Sequence, residues 1–217
     1  MQVIVVASPG EAMATRQTTA DKRVLDETES AVDAARPLRA DARRNYELLV
    51  AAAREEFAEH GGEASMEAIA KRAGVGIGTL YRHFPKRIDV VEAVYRTDVD
   101  GLVQLAADLV VDTDPWLAIV AWLEAFVRYA QTKRTFLSEL YEAFEKNPQL
   151  KVASRERLHD ALSSVLVRAQ DARVVRRDIQ AEDVIALLGP MCTSPTLSSE
   201  QMERLLVVVE DGLRALA

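Results

Sequence analysis

A chain of 217 residues with 49% hydrophobic and 6% aromatic side chains can bury a sizeable core without covalent staples. Its single cysteine, Cys192, excludes an internal disulfide framework, and no apolar run approaches the ~18 residues of a membrane helix. The short apolar opening Val3-Ile4-Val5-Val6-Ala7 has no basic flank before it, so the expectation is a cytoplasmic protein with no membrane partner. The formal net charge of −7 is unevenly spread. Residues 41–96 hold nine basic against nine acidic side chains, whereas residues 97–217 hold thirteen against nineteen, and local rather than net charge governs docking to a polyanion.

Residues 1–40 mix Ser, Thr, Pro, Gly and scattered charges with weak periodicity, and read as a flexible arm. A helix is expected over Asp41–His60, where Tyr46, Leu49, Val50, Ala53 and Phe57 recur at helical spacing and Gly61-Gly62 provides a stop. Ser65 stands at an N-cap position, with Glu67 in the first turn of a short helix, Met66–Ala73. Gly74-Val75-Gly76 makes a tight turn into a second short helix, Ile77–His83. Leu80 and Phe84, four apart, pin one face of it inward and leave Thr79, Arg82 and His83 outward. No acidic residue occurs from Ala68 to Ile88, while Lys71, Arg72, Arg82, Lys86 and Arg87 all do; Lys71 and Arg72 read as solvated. A compact basic pair of short helices suits a polyanion, and a helix of that size fits the DNA major groove.

Pro85 is expected within the first turn of the next helix, which carries Ile88, Val91, Tyr95, Val99 and Leu102. Further helices are expected near Leu102–Val111, Pro115–Thr132, Arg134–Glu145, Pro148–Ala172, Ala181–Cys192 and Ser199–Leu216, started by Asp114-Pro115, Asn147-Pro148 and a Ser198/Gln201 capping box. Gly189-Pro190 and Pro195 are expected to leave the Ala181–Cys192 helix short or kinked. With no convincing strand or repeat, the fold class is all-α. Pro115–Thr132 is apolar on most sides and reads as central. The last helix shows a stripe of Met202, Leu206, Val209, Leu213 and Leu216, widened by Leu205 and Val208, which needs a cover.

The stretches AAAREEFAEHG (residues 51–61) and MEAIAKRAGVGIGTLYRHFPKR (residues 66–87), followed by another helix, resemble the tetracycline-repressor (TetR) family of transcription regulators. The likeness covers about residues 41–101. It implies a three-helix helix-turn-helix DNA-binding domain there, and an all-helical ligand-binding and dimerisation domain over residues 102–217. By position it implies that Ser65 caps the first motif helix and bonds a phosphate. It places the helix around Gly76, Ile77, Gly78 and Thr79 in the major groove, and assigns backbone or base-edge contacts to Thr79, Tyr81 and His83. Lys86 and Arg87 would hold phosphate. Ile77 and Gly78 carry no hydrogen-bonding side chain, so apolar contact or DNA shape supplies part of the reading. Trp116, Trp122, Phe126, Tyr129, Phe136, Tyr141 and Phe144 lie in the region where this family surrounds a small-molecule effector.

The function implied is a ligand-responsive regulator, most often a repressor. It would bind a near-palindromic double-stranded operator as a homodimer and be released by an effector. An enzyme is not expected: His60, His83 and His159 are scattered without metal-ligand spacing, no nucleophile motif or phosphate loop occurs, and no cofactor is implied. The competing expectation is a helical small-molecule- or protein-binding module without sequence-specific DNA binding.

Overall fold

The structure, a computed structural model, describes residues 40–194 and 196–215, and the chain divides into two compact units, residues 1–47 and 48–217. The expected arm (save residue 40), Pro195 and Leu216 lie outside the described residues. In the first unit, residues 40–47 are helical. Their one ion pair, Arg43 to Glu47 at 3.0 Å, is exposed on both sides and so worth little.

In the second unit every regular element among the described residues is a helix; the only β-type contact is an isolated bridge between Val175 and Arg214. Residues 48–60 form α1, followed by a 3-10 turn at Gly61–Glu63. The remaining helices are α2 (Met66–Arg72), α3 (Ile77–His83), α4 (Arg87–Asp112), α5 (Pro115–Arg134), α6 (Leu137–Lys146), α7 (Pro148–Asp171), α8 (Ala181–Thr193) and α9 (Ser199–Leu213). Starts follow the expected chemistry. The Ser65 hydroxyl accepts from the Ala68 N–H at 3.0 Å, and Asp114 accepts from the N–H groups of Trp116 and Leu117. Ser198 and Gln201 cap each other reciprocally.

Two expectations are corrected. Pro85 stands before α4 rather than in its first turn. Phe84 ends α3 in an extended conformation, as a residue before proline must, and α4 begins after Lys86, whose N–H donates to Asp89 at 2.8 Å. The helix expected separately at Leu102–Val111 is the second half of α4. Gly101 weakens a helix without ending it when Val99, Leu102 and Ala106 are all buried along the same face. Pro190 sits inside α8, a short helix that ends one residue past the expected Cys192: the proline is exposed, on a helix whose buried face (Val184, Leu188, Cys192) holds it to the body.

α5 is central, packing against α4, α7, α8 and α9. It buries Ala118, Ile119, Trp122, Leu123, Phe126, Val127, Tyr129 and Ala130. Trp122 is fully buried, stacks on Phe126 at 5.5 Å and donates its indole N–H to the Leu102 carbonyl at 3.2 Å. The core continues into the motif through Phe57, Ile69, Leu80 and Phe84. Cys192 is fully buried, and burial pushes its thiol up to about 11, as for an inert core cysteine.

One charged group sits where α1 meets α4. The Asp98 side chain is 2% exposed, 3.1 Å from Arg54 Nε, and neither carboxylate oxygen accepts a hydrogen bond in the structure. Burial pushes its carboxyl up to about 6, against the partial opposing pull of Arg54. An acid whose folded pKa is raised binds its proton more tightly when folded, so its contribution favours folding below about pH 4 and is lost as pH rises through about 6. Asp98→Asn is therefore expected to flatten the stability profile between those values and to raise relative stability at pH 7 by about 2–3 kcal/mol, read by urea unfolding across pH. Trp122→Ala is expected to cost about 3–5 kcal/mol in the same assay, through the cavity and the lost indole hydrogen bond.

Candidate nucleic-acid interface

The motif is built on two glycines that need their freedom. Gly74 has φ +69° and lets the chain reverse after α2: its N–H reaches the Lys71 carbonyl, and that of Val75 the Ala70 carbonyl, each at 3.1 Å. Gly61 has φ +55°, and a Cβ there would stand 3.0 Å from the Thr135 carbonyl oxygen, so the end of α1 lies against the turn between α5 and α6.

α3 is held by Leu80, which is fully buried, and by Phe84 behind it. That turns Gly76, Ile77, Gly78, Tyr81 and Arg82 to the outside. Ile77 is 40% and Tyr81 45% exposed, and Thr79 is half-buried. A Cβ at Gly76 or Gly78 would meet nothing within 4 Å. Ser65 and Lys86 are exposed; His83 is half-buried, its ring 6.2 Å from that of Phe84. Ser65, Gly76, Ile77, Gly78, Thr79, Tyr81, His83 and Lys86 are thus brought around one short helix and its two flanks.

The arginines of the motif separate into distinct roles. Arg72, exposed as expected, also gathers three glutamates of α1: Glu56 at 2.7 Å, Glu59 at 2.5 Å and Glu55 at 3.4 Å. The hydrogen bond from Arg72 holds the Glu59 carboxyl below its usual range. Arg87 is turned inward. Its guanidinium donates to the carbonyls of Ala64, Gly62 (3.1 Å) and Gly61 (3.5 Å), pairs with Glu139 of α6 at 3.3 Å and lies 5.1 Å above the Phe57 ring. Burial alone would raise the Glu139 carboxyl, but hydrogen bonds from Ser138, from its own backbone and from Arg87 outweigh that and hold it below the ordinary value. Arg82, singled out in the sequence only as outward-facing, folds back along α3: its Nε donates to the Gly78 carbonyl at 3.3 Å and an Nη to the Thr79 hydroxyl at 3.1 Å.

The aromatic residues of the body separate as well. Trp122, Phe126, Tyr129 and Phe144 join with Tyr95 in one ladder of ring contacts, centroids 5.3–6.3 Å apart. Tyr141 touches its outer edge and is 54% exposed. Phe136 belongs elsewhere, against Phe57 at 5.1 Å, and Trp116 lies beneath the guanidinium of Arg214 at 4.1 Å. The sequence reading passed over Lys133, whose ammonium lies within 6 Å of the Tyr95, Tyr129 and Phe144 rings. Burial, then repulsion from Lys151, pulls its pKa down.

None of these aromatics lines an apolar groove of about 620 Å³ between α8 and α9, bordered by Leu187, Met191, Leu205, Val208 and Leu213. The stripe expected to seek a partner is partly satisfied internally, since Met202, Leu206, Val209 and Leu213 are buried within the chain. What stays exposed is its rim: Leu187 at 57% and Val208 at 66%, with Leu205 and Val207 beside them. No described helix is long and apolar enough to cross a membrane, and no group of three His, Cys, Asp or Glu among the described residues is placed to hold a metal.

Comparison with known proteins agrees with this layout. Residues 49–94 match the family model for bacterial regulatory proteins of the tetR family, and residues 114–215 match that for the SbtR-like C-terminal domain of transcriptional regulators. The crystal structure of a TetR transcriptional regulator from Streptomyces coelicolor is 35% identical with a TM-score of 0.71, over 79% of this chain and 99% of that one. The TetR transcription regulatory protein from Mycobacterium vanbaalenii is 34% identical with a TM-score of 0.64, over 82% and 100%. An HTH-type transcriptional regulator of Staphylococcus aureus (strain USA300) is 42% identical over 64 residues, 29% of this chain, and the match spans only 35% of that relative. Conserved geometry through head and body alike, at this identity and coverage, places the chain in the TetR family of transcriptional regulators.

Proposed function

We propose that the chain is a ligand-responsive transcription regulator, a repressor, that binds a near-palindromic DNA operator as a homodimer and leaves it when a small molecule binds the helical body. The observation that carries the DNA reading is the outer face of α3. It is buried behind Leu80 and open in front, with Tyr81, Lys86 and Ser65 exposed around it and no acid from Ala68 to Ile88. Ser65, Tyr81, His83 and Lys86 take phosphates. Gly76, Ile77, Gly78 and Thr79 approach the base edges, where their small size permits close contact. Arg87, committed to the carbonyls of Gly61, Gly62 and Ala64, acts as a positioning residue that holds the turn before Ser65.

The exposed rim of α8 and α9 supports self-association, since an isologous contact would cover Leu187, Leu205 and Val208 on both copies at once. Two copies then present their α3 helices to successive major grooves, about 34–36 Å apart. For the effector we assign the Trp122–Phe126–Tyr129–Phe144 ladder as the apolar wall and Lys133 as its polar group, with Trp116, Phe136 and Tyr141 at greater remove.

Sites enriched by the purified protein from random duplexes are expected to form an inverted repeat. Tyr81→Ala and Lys86→Ala are each expected to weaken that binding about ten-fold, and Lys86→Ala to lower the salt slope by about one. Unchanged affinity in both variants at fixed salt would remove α3 from the interface. Leu205→Glu combined with Val208→Glu, both on the exposed rim, is expected to yield a folded monomer by sedimentation and to abolish binding to the inverted repeat. A dimer that survives both charges would disprove the α8–α9 interface.

A further inference from the structure

Of the three arginines in the motif, Arg72 is bound to the glutamates of α1 and Arg87 to backbone carbonyls and Glu139. Arg82 forms no ion pair among the described residues. It is exposed, yet it does not extend into water. Its two hydrogen bonds, to the Gly78 carbonyl and the Thr79 hydroxyl, lay the guanidinium back over the first turn of α3. That turn is the end by which a recognition helix meets base edges. Of the phosphate partners proposed above, Lys86 and Ser65 lie beyond the helix, and Tyr81 and His83 in its last turn. Neighbouring positions leave the space open: Gly76 and Gly78 have no side chain there, and Ile77 has no polar atom.

Arginine has five N–H donors in a rigid fork, and two are used here. The free edge of that fork matches the paired acceptors O6 and N7 that guanine alone shows in the major groove. No other exposed side chain on α3 offers two parallel donors. Resting on the DNA-binding reading above, we propose that Arg82 is the specificity-determining residue of the motif: it reads one guanine in each half-site through a bidentate contact, and the Thr79 hydroxyl and Gly78 carbonyl fix its approach. The operator then carries a guanine facing α3 in both halves of the repeat.

The test pairs protein and DNA changes in the full-length protein. Wild type and Arg82→Ala are each used to enrich sites from random duplexes, after thermal melting has established that the variant folds equally well. Expected from wild type is an inverted repeat with one strictly required guanine per half-site. The variant is expected to lose that requirement alone and to bind the wild-type operator about ten- to hundred-fold more weakly. Replacing that guanine by 7-deazaguanine, which lacks the N7 acceptor, should weaken wild type and leave the variant unaffected. Equal weakening on every operator, with a salt slope lower by about one, would make Arg82 a phosphate contact and overturn the proposal, as would an unchanged site preference. Failure of wild type to enrich any site would sink the DNA-binding reading itself, and this inference with it.

Discussion

The guanidinium of Arg87 ties together three parts of the chain: the turn after α1, the start of α4, and α6. It caps the carbonyls of Gly61, Gly62 and Ala64 after α1, opens α4, and reaches Glu139 on α6. Below it lies Phe57, and beyond Phe57 lies Phe136, the residue that starts α6. Carbonyls at a helix end need donors, and a charged donor fixed by several acceptors at once is stronger than any one of them. Ser65, and with it the start of α2, is therefore placed by a side chain that belongs to the beginning of α4. The motif has its geometry because Arg87 does not face outward.

The positive charge of the motif thus divides into parts with different work. A basic run without acids reads in sequence as a single patch. In the structure Arg72 binds α2 to α1 through Glu55, Glu56 and Glu59, and Arg87 closes the joint with the body, so both are largely neutralised by their partners. Net charge near the motif overstates what is left for a polyanion. The outward remainder is Arg82, Lys86 and Lys71, few enough that each carries a large share of any interaction.

The fold class, the order of helices and the faces of α1 to α5 were legible because they depend on local signals: periodicity, caps at Ser65, Asp114 and Ser198, and the Gly74 turn. The split expected in α4 had a physical cause. Gly101 is a local breaker, and burial of a neighbouring face outweighed its local cost of about 1 kcal/mol, as burial of the inner face of α8 offsets the roughly 3 kcal/mol of Pro190. On the outward face of α3, Arg82 was readable from Leu80 and Phe84 alone, whereas Thr79 and His83, expected outward as well, are half-buried and Tyr81 is exposed. The ion pairs of Arg72 and the inward turn of Arg87 were not readable, because their partners are 13–17 and 23–52 residues away in sequence and nothing local announces them. The α8–α9 rim was readable only as surplus apolar surface. Which half of that surface the chain covers by itself depends on how α9 packs on α5 and α8.

A ligand in the body can change DNA affinity only by favouring one arrangement of the motif over another. The contacts available to carry that difference are few. The Thr135 carbonyl lies against Gly61, Glu139 holds Arg87, and Asp98 faces Arg54 across α4 and α1. The first two belong to the α5–α6 turn and the first turns of α6, directly after Lys133 and its cage of Tyr95, Tyr129 and Phe144. A displacement of α6 by one side-chain width would unseat Arg87 from Glu139 while leaving its bonds to the three carbonyls, whereas a tilt of α4 would strain those carbonyls and the Asp98 contact together. The two motions load different bonds, so under the proposed ligand response the helix end that a ligand touched would decide the path from body to motif.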